Sequence, residues 1–157
     1  MEIVKGLLYI NSIDVYEAYG AYLCEDKQGD TSNYSSILKL PGAKEHKAID
    51  LRENSGVKLP TTLQNVFKAR EITLKFAIEG EDANDFLEKY YAFIKMLKEG
   101  DKGWIKIHLP ELKQTFRTYY LECTEWKQLT GFEDKVYAKF SVKFKEPNPF
   151  EEELNSV

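Results

Sequence analysis

The sequence predicts an α+β domain, mainly β, with one helix, and three observations carry that expectation. Residues 71–78 alternate, with Ile72, Leu74, Phe76 and Ile78 on one face and Thr73, Lys75 and Ala77 on the other, which is the period of a half-buried strand. Directly afterwards Ala83, Phe86, Leu87, Tyr90, Ile94 and Leu97 fall at helical spacing and make one apolar stripe. Near the C-terminal end Val136, Ala138, Phe140, Val142 and Phe144 alternate with Tyr137, Lys139, Ser141, Lys143 and Lys145, the cleanest two-residue period in the chain.

Taken in order, residues 7–10 read as a short strand, Asn11-Ser12 as a break, and residues 13–23 as a second strand without a single inward face before Tyr22 and Cys24. From residue 25 to 69 the character changes. Gly29, Asp30, Asn33, Pro41, Gly42, Asn54, Gly56 and Pro60 punctuate short apolar pairs, and no period persists. A loop of about 40 residues is unusual inside a compact domain unless it is functional or packs on a partner. Residues 34–40 and 48–52 are expected to pair as a short hairpin within it. The loop carries Tyr34, Ile37, Leu38, Leu40, Ile49, Leu51, Val57, Leu59, Leu63, Val66 and Phe67, more apolar side chains than a freely solvated loop should. Residues 32–67 are therefore expected to be partly disordered or extended away from the sheets in an isolated subunit, and to order against a neighbour.

The helix is expected over residues 82–99. Asp82 is its N-cap, Glu81 and Asp85 sit at the positive end of the macrodipole, Lys95 and Lys98 sit at the negative end, and Gly100 is placed as a left-handed terminator. Its residues Phe86, Leu87, Tyr90, Ile94 and Leu97 should lie against the sheet face bearing Ile72, Leu74, Phe76, Val142 and Phe144. Trp104, Ile105, Ile107 and Leu109 read as the next strand, ended by Pro110, which has no N–H for a ladder. Residues 115–126 form a long strand with apolar groups on both faces: Phe116, Thr118 and Tyr120 on one, Tyr119, Leu121 and Cys123 on the other. Both faces are then covered, by the rest of the domain or by another subunit. Residues 128–134 turn into the last strand, whose basic second face resists edge-to-edge aggregation. Residues 1–149 read as a single domain and residues 150–157 as an acidic, mobile tail.

Composition narrows the function. The 157 residues carry 22 basic and 26 acidic side chains, interspersed, for a net charge of -4. With no run of Lys/Arg and no basic amphipathic helix, a sequence-specific nucleic-acid partner is not expected. Residues 1–10 include Glu2 and Lys5 and no long apolar run, so no secretory signal is expected and the chain should be made and folded in a cytosol. No stretch approaches the roughly 18 apolar residues of a membrane span. Cys24 and Cys123 are far apart without CxxC spacing, and both are expected to pack as small apolar side chains rather than as a disulfide.

No residue pattern assigns catalysis, and no catalytic, cofactor-binding or metal-binding residue is expected. His108 reads as a solvated position on the polar face of its strand, and His46 lies between Lys44 and Lys47, which suits no metal. Ser35-Ser36 and Ser55 lack a nucleophile elbow, Gly29 and Gly42 belong to no phosphate-cradling loop, and the acids form no spaced pair. Tyr90-Tyr91 and Tyr119-Tyr120 read as core or interface packing. The rival to a purely structural role is a small-molecule or peptide-binding domain with an aromatic pocket between sheet and helix.

The order of segments adds a resemblance. "INSIDVYEAYGAYL", the loop "YSSILKLPGAKEHKAIDLRENSGV", "AREITLKFAIEG", "FLEKYYAFIKML", "WIKIHLPEL" and "YAKFSVKFKEPNP" together resemble tail proteins of long-tailed bacteriophages and prophages. The likeness is to small proteins of Bacteroides-type prophages related to the distal tail protein and the tail-tube protein. It implies two packed antiparallel sheets, a sandwich or split barrel, flanked by one helix at about 82–99. It also implies a hexameric ring around a channel, with long loops joining neighbouring subunits or rings, and other tail proteins as partners. Against full-length distal tail proteins, a carbohydrate-binding second domain is not expected after the ring-forming part, and a host-receptor role is not implied.

Overall fold

A computed structural model describes residues 5–27 and 29–150. The elements run β1 (Tyr9–Ile10), β2 (Ile13–Asp14), α1 (Val15–Tyr19), β3 (Ala21–Leu23), α2 (Ser32–Leu38), β4 (Arg70–Gly80), α3 (Ala83–Glu99), β5 (Ile105–Leu109), β6 (Gln114–Gln128) and β7 (Val136–Glu146). The strands join in one antiparallel, curled sheet in the order β2-β1-β5-β6-β7-β4-β3. The chain is thus α+β and mainly β. Hydrogen bonding runs unbroken through the whole sheet because β6 is long enough to serve two neighbours: Gln114 to Thr118 pair with β5, and Tyr119 to Gln128 pair with β7.

Three helices are present where one was expected. The stretch 13–23 is not a strand, because the Asp14 carboxylate accepts from the N–H groups of Tyr16 and Glu17 and starts α1. Only three residues of that stretch then join β4 as β3. Nor do residues 34–40 form a hairpin with 48–52, since most of them lie in α2 and Ile49 instead bridges to Lys58. α2 exists for a tertiary reason. β3 covers β4 only at Phe76 to Ile78, and beyond it the Asn33 Oδ1 accepts from Lys75 N at 2.7 Å and the Ser36 Oγ from Thr73 N at 2.8 Å. Side chains of α2 therefore satisfy the edge N–H groups that a missing strand would have taken.

The eleven-residue strands β4 and β7 pair along their whole length, with Ile72 opposite Phe144, Leu74 opposite Val142 and Phe76 opposite Phe140. These side chains are buried, as the alternation predicts. β7 is an interior strand between β6 and β4, so its lysine face guards no edge. α3 crosses this apolar surface, capped as expected by Asp82, whose carboxylate accepts from Asp85 N at 2.8 Å. Its contact line, however, is Phe86, Tyr90, Phe93 and Leu97. Phe93 is fully buried, with its ring 5.4 Å from that of Phe76 and 5.6 Å from that of Phe140. Leu87 and Ile94, expected in the core, are 36% and 39% exposed on the flank. Gly100 has positive φ but ψ of -151°, so it ends the helix outside the left-handed α region.

One close approach sets the angle of α3. A Cβ on Gly80 would stand 2.5 Å from the backbone N and Cα of Phe86. Gly80→Ala is expected to push the first helical turn off the strand end and destabilise the fold by about 1–3 kcal/mol, measured as a shift of the urea midpoint. The expected acidic tail, apart from Phe150, lies outside the described residues.

Candidate functional site

The histidines, cysteines and serines do not converge. His46 contacts Asn65 Oδ1 through Nε2 at 3.0 Å in the long excursion between α2 and β4, whereas His108 lies on β5, with Nδ1 2.9 Å from Thr115 Oγ1. His108 is half-buried beside Tyr9, not a solvated strand position. Ser36 supports the edge of β4, and Ser55 is exposed. Cys24 is partly buried, which pushes its thiol up, but Cys123 is exposed and does not pack as a core residue. Among the described residues no cluster of three or more His, Cys, Asp or Glu side chains could hold a metal ion. Among the described residues no helix is long and apolar enough to cross a membrane.

The lysines of the second sheet face are tied to acids. Lys75 reaches Asp26 at 2.5 Å, and Lys143 lies 3.4 Å from Glu71 and 3.7 Å from Glu122. Of the positive stripe read from β7, Lys143 is thus matched by acids on both neighbouring strands, and Lys139 Nζ donates to the Glu25 carbonyl at 3.4 Å. Two tyrosines also pair with carboxylates across elements. Tyr16 donates to Glu79 at 2.6 Å, and that hydrogen bond, with burial, pushes its hydroxyl up to about 12. Burial and a 2.5 Å hydrogen bond to Glu111 push the Tyr34 hydroxyl up to about 12. The first fastens α1 to β4 and the second fastens α2 to the turn between β5 and β6.

What stands out is apolar surface left uncovered. Residues 39–69 form an arm held by two isolated bridges, Ala43 to Phe67 and Ile49 to Lys58, and every residue from 47 to 69 is exposed. The part of the expected extended segment that lies in α2 is instead docked, with Ile37 buried. At the base of the arm, Arg70 Nε donates to Glu146 Oε1 at 2.7 Å and Nη1 to the Lys39 carbonyl at 2.7 Å, so both roots are tied to the end of β7. The Arg70 guanidinium also lies 4.8 Å from the Phe150 ring centre.

The second uncovered surface is the far half of β6. Its residues 119–128 are exposed throughout, so the apolar side chains found on both of its faces are covered only in part by the rest of the domain, Trp126 by Tyr90 and Phe140 and Tyr119 by Trp104. β7 takes one edge of this half. The other edge carries no strand among the described residues, because β5 ends its pairing at Thr118. Two register shifts, between Tyr120 and Glu122 and between Cys123 and Glu125, bend it. Between this half-strand and α3 lies a groove of about 470 Å³ whose walls include Tyr90, Phe93, Ile94 and Leu97 from the helix and Tyr120 and Cys123 from the strand. Tyr90 also packs on Trp126, with ring centres 4.8 Å apart. A larger cleft of about 620 Å³ runs beside β3 and has a more polar lining that includes Glu25 and Asn33. Tyr90, Tyr119 and Tyr120 of the tyrosine pairs noted in the sequence meet in the groove beside α3, but the separation of Tyr90 and Tyr119 by 29 positions hides that from a linear reading.

No family model matches the chain, and no curated protein does. Among solved structures, the chain superimposes on SPP1 Dit, described as a paradigm of the hub adsorption apparatus in phages infecting Gram-positive hosts. The TM-score is 0.56 at 12% identity, over 94% of this chain and 51% of that one. The chain spans about half the length of that protein and shares its fold.

Proposed function

We propose that the chain is a non-enzymatic structural subunit of a phage-like tail, a ring component of the distal tail or the tail tube. The observation that carries this reading is the fold shared with a tail hub protein across nearly the whole chain. The uncovered arm and the exposed half of β6 support it, since exposed apolar patches of this kind mark contact surfaces. In this reading residues 1–149 are one tail-tube-like domain, with a single curled sheet standing where the resemblance implied two packed sheets. The excursion at 25–69 reaches a neighbour, copies close as a hexameric ring, and other tail proteins stack on it. The protein is made in the cytoplasm of a bacterial host, within a prophage of the Bacteroides type, and ends in the virion tail. It uses no cofactor.

Negative-stain images and light scattering across a concentration series test this: rings or stacked tubes are the expected result. Deleting residues 42–59 should leave stability within about 1 kcal/mol, because loop length enters closure entropy only logarithmically, yet abolish assembly. A particle that stays monomeric at every concentration counts against the reading. One observation favours a second reading, a small-molecule or peptide binder: the aromatic groove itself. A monomer whose thermal stability rises with a metabolite would favour that alternative.

A further inference from the structure

We propose that the outer face of the sheet where β5 meets β6 is a docking surface for an acidic segment of another protein, with Arg117 on Trp104 as its anchor. The proposal goes beyond the assembly reading and stands without it, because it rests on the side chains of one sheet face.

Register puts those side chains together. Residues directly opposite in an antiparallel pair share a face, so Lys106 stands beside Arg117, and Tyr119 beside Lys145. Ile105, Ile107 and Leu109 fill the other face of β5 and are buried, which leaves this cluster on the solvent side. Trp104 joins it from the turn before β5. The Arg117 guanidinium lies 3.9 Å over its indole, and the Tyr119 ring meets it edge-on with centres 6.3 Å apart. Tryptophan, tyrosine and arginine are the residues that dominate the centres of protein interfaces.

The cations here lack acids. Arg70 is the only arginine in an ion pair among the described residues, and the Nε of Arg117 is buried with no hydrogen-bond partner there. Lys145 pairs with no carboxylate among the described residues, since its cross-strand neighbour Glu71 lies instead against Lys143, as does Glu122. Lys106 has Asp101 at 3.5 Å with both side chains about half exposed, a pair worth little. Like charges directly opposite across a ladder destabilise the chain that carries them, and a carboxylate set between Lys106 and Arg117 turns that cost into attraction. Stacking prepares Arg117 for one. A guanidinium held flat on an indole keeps its N–H groups in one plane, and a carboxylate meeting them edge-on accepts two parallel hydrogen bonds. A nucleic-acid strand fits less well, because it takes a stripe of cations along successive phosphates, whereas this face offers three beside Asp101 on a chain of net charge -4.

The probe is octaglutamate, read by Trp104 emission in a full chain carrying Trp126→Phe, which leaves Trp104 as the only tryptophan. At low salt a saturable change is expected, reversed by added salt as contacts between exposed charges require. Arg117→Gln and Lys106→Gln should each weaken binding by about 10-fold or more, the scale of losing a hydrogen bond to a charged group. Arg117→Lys keeps the charge but not the planar fork, and should fall nearly as far. Lys106 is exposed, so its variant reads binding without disturbing the fold. Lys95→Gln, on α3, should bind as the parent does. The inference is overturned by no saturable change, by unweakened binding of Lys106→Gln, by an equal loss in Lys95→Gln, or by an oligothymidylate of matching charge binding as tightly, which would assign the face to nucleic acid. Rings that form normally while octaglutamate fails to bind sink this inference alone and leave the assembly reading intact.

Discussion

Arg70→Met is expected to cost about 3–5 kcal/mol, because it leaves the Glu146 carboxylate buried without its ion pair. The two side chains are 5% and 1% exposed and sit directly opposite each other across β4 and β7. The pair is only half satisfied: Arg70 Nη2 and Glu146 Oε2 have no hydrogen-bond partner among the described residues. Burial raises the Glu146 carboxyl above its ordinary value, with the hydrogen bond and charge of Arg70 working against that. A carboxyl raised in this way holds more protons folded than unfolded. Its contribution to stability is therefore fully present below the ordinary glutamate range and lost as pH rises through the folded value. Without Arg70 the rise is steeper, so the variant should recover part of its loss on acidification toward that range. The double variant Arg70→Met/Glu146→Leu should unfold within about 1 kcal/mol of the parent at neutral pH. Urea midpoints at neutral and acidic pH check all three statements; a single variant as stable as the parent at neutral pH would refute them.

Phe93→Ala should lose a comparable amount, about 3–5 kcal/mol, since it opens a cavity among three aromatic rings. Phe76, Phe140 and Tyr19 each lie within 5.6 Å of the Phe93 ring centre, and Tyr90 sits one turn away. Leu87→Ala, at a flank position, should cost less than about 1 kcal/mol. The comparison reads the rotation of α3 directly. Equal losses at the two positions would mean that the helix turns its Leu87 side to the sheet.

That contrast also marks the limit of what the sequence makes legible. Apolar residues on α3 form two overlapping stripes, one through Phe86, Tyr90, Phe93 and Leu97 and one through Leu87, Tyr91 and Ile94. Periodicity finds the helix but cannot say which stripe meets the sheet, because that depends on Gly80 and on the rings of β7. β4, β5 and β7 are legible, since each buries alternate residues and so writes its period into the chain. α1 and α2 are not. Five and seven residues are too few to show a helical period, and α2 owes its place to Asn33 and Ser36 bonding an edge 40 positions away. The arm is legible as an excess of apolar side chains over loop punctuation. The groove is not, because its two walls meet only when β6 passes beside α3.

The double pairing of β6 has a mechanical meaning. Fifteen residues in one continuous strand span about 50 Å, gripped at one end by β5 and at the other, across two register shifts, by β7. A pull along its axis loads both ladders in shear, so many hydrogen bonds must yield together. A pull across it would peel them one by one. Tension applied to the exposed end is therefore carried through the shared strand into β5 and on into β1.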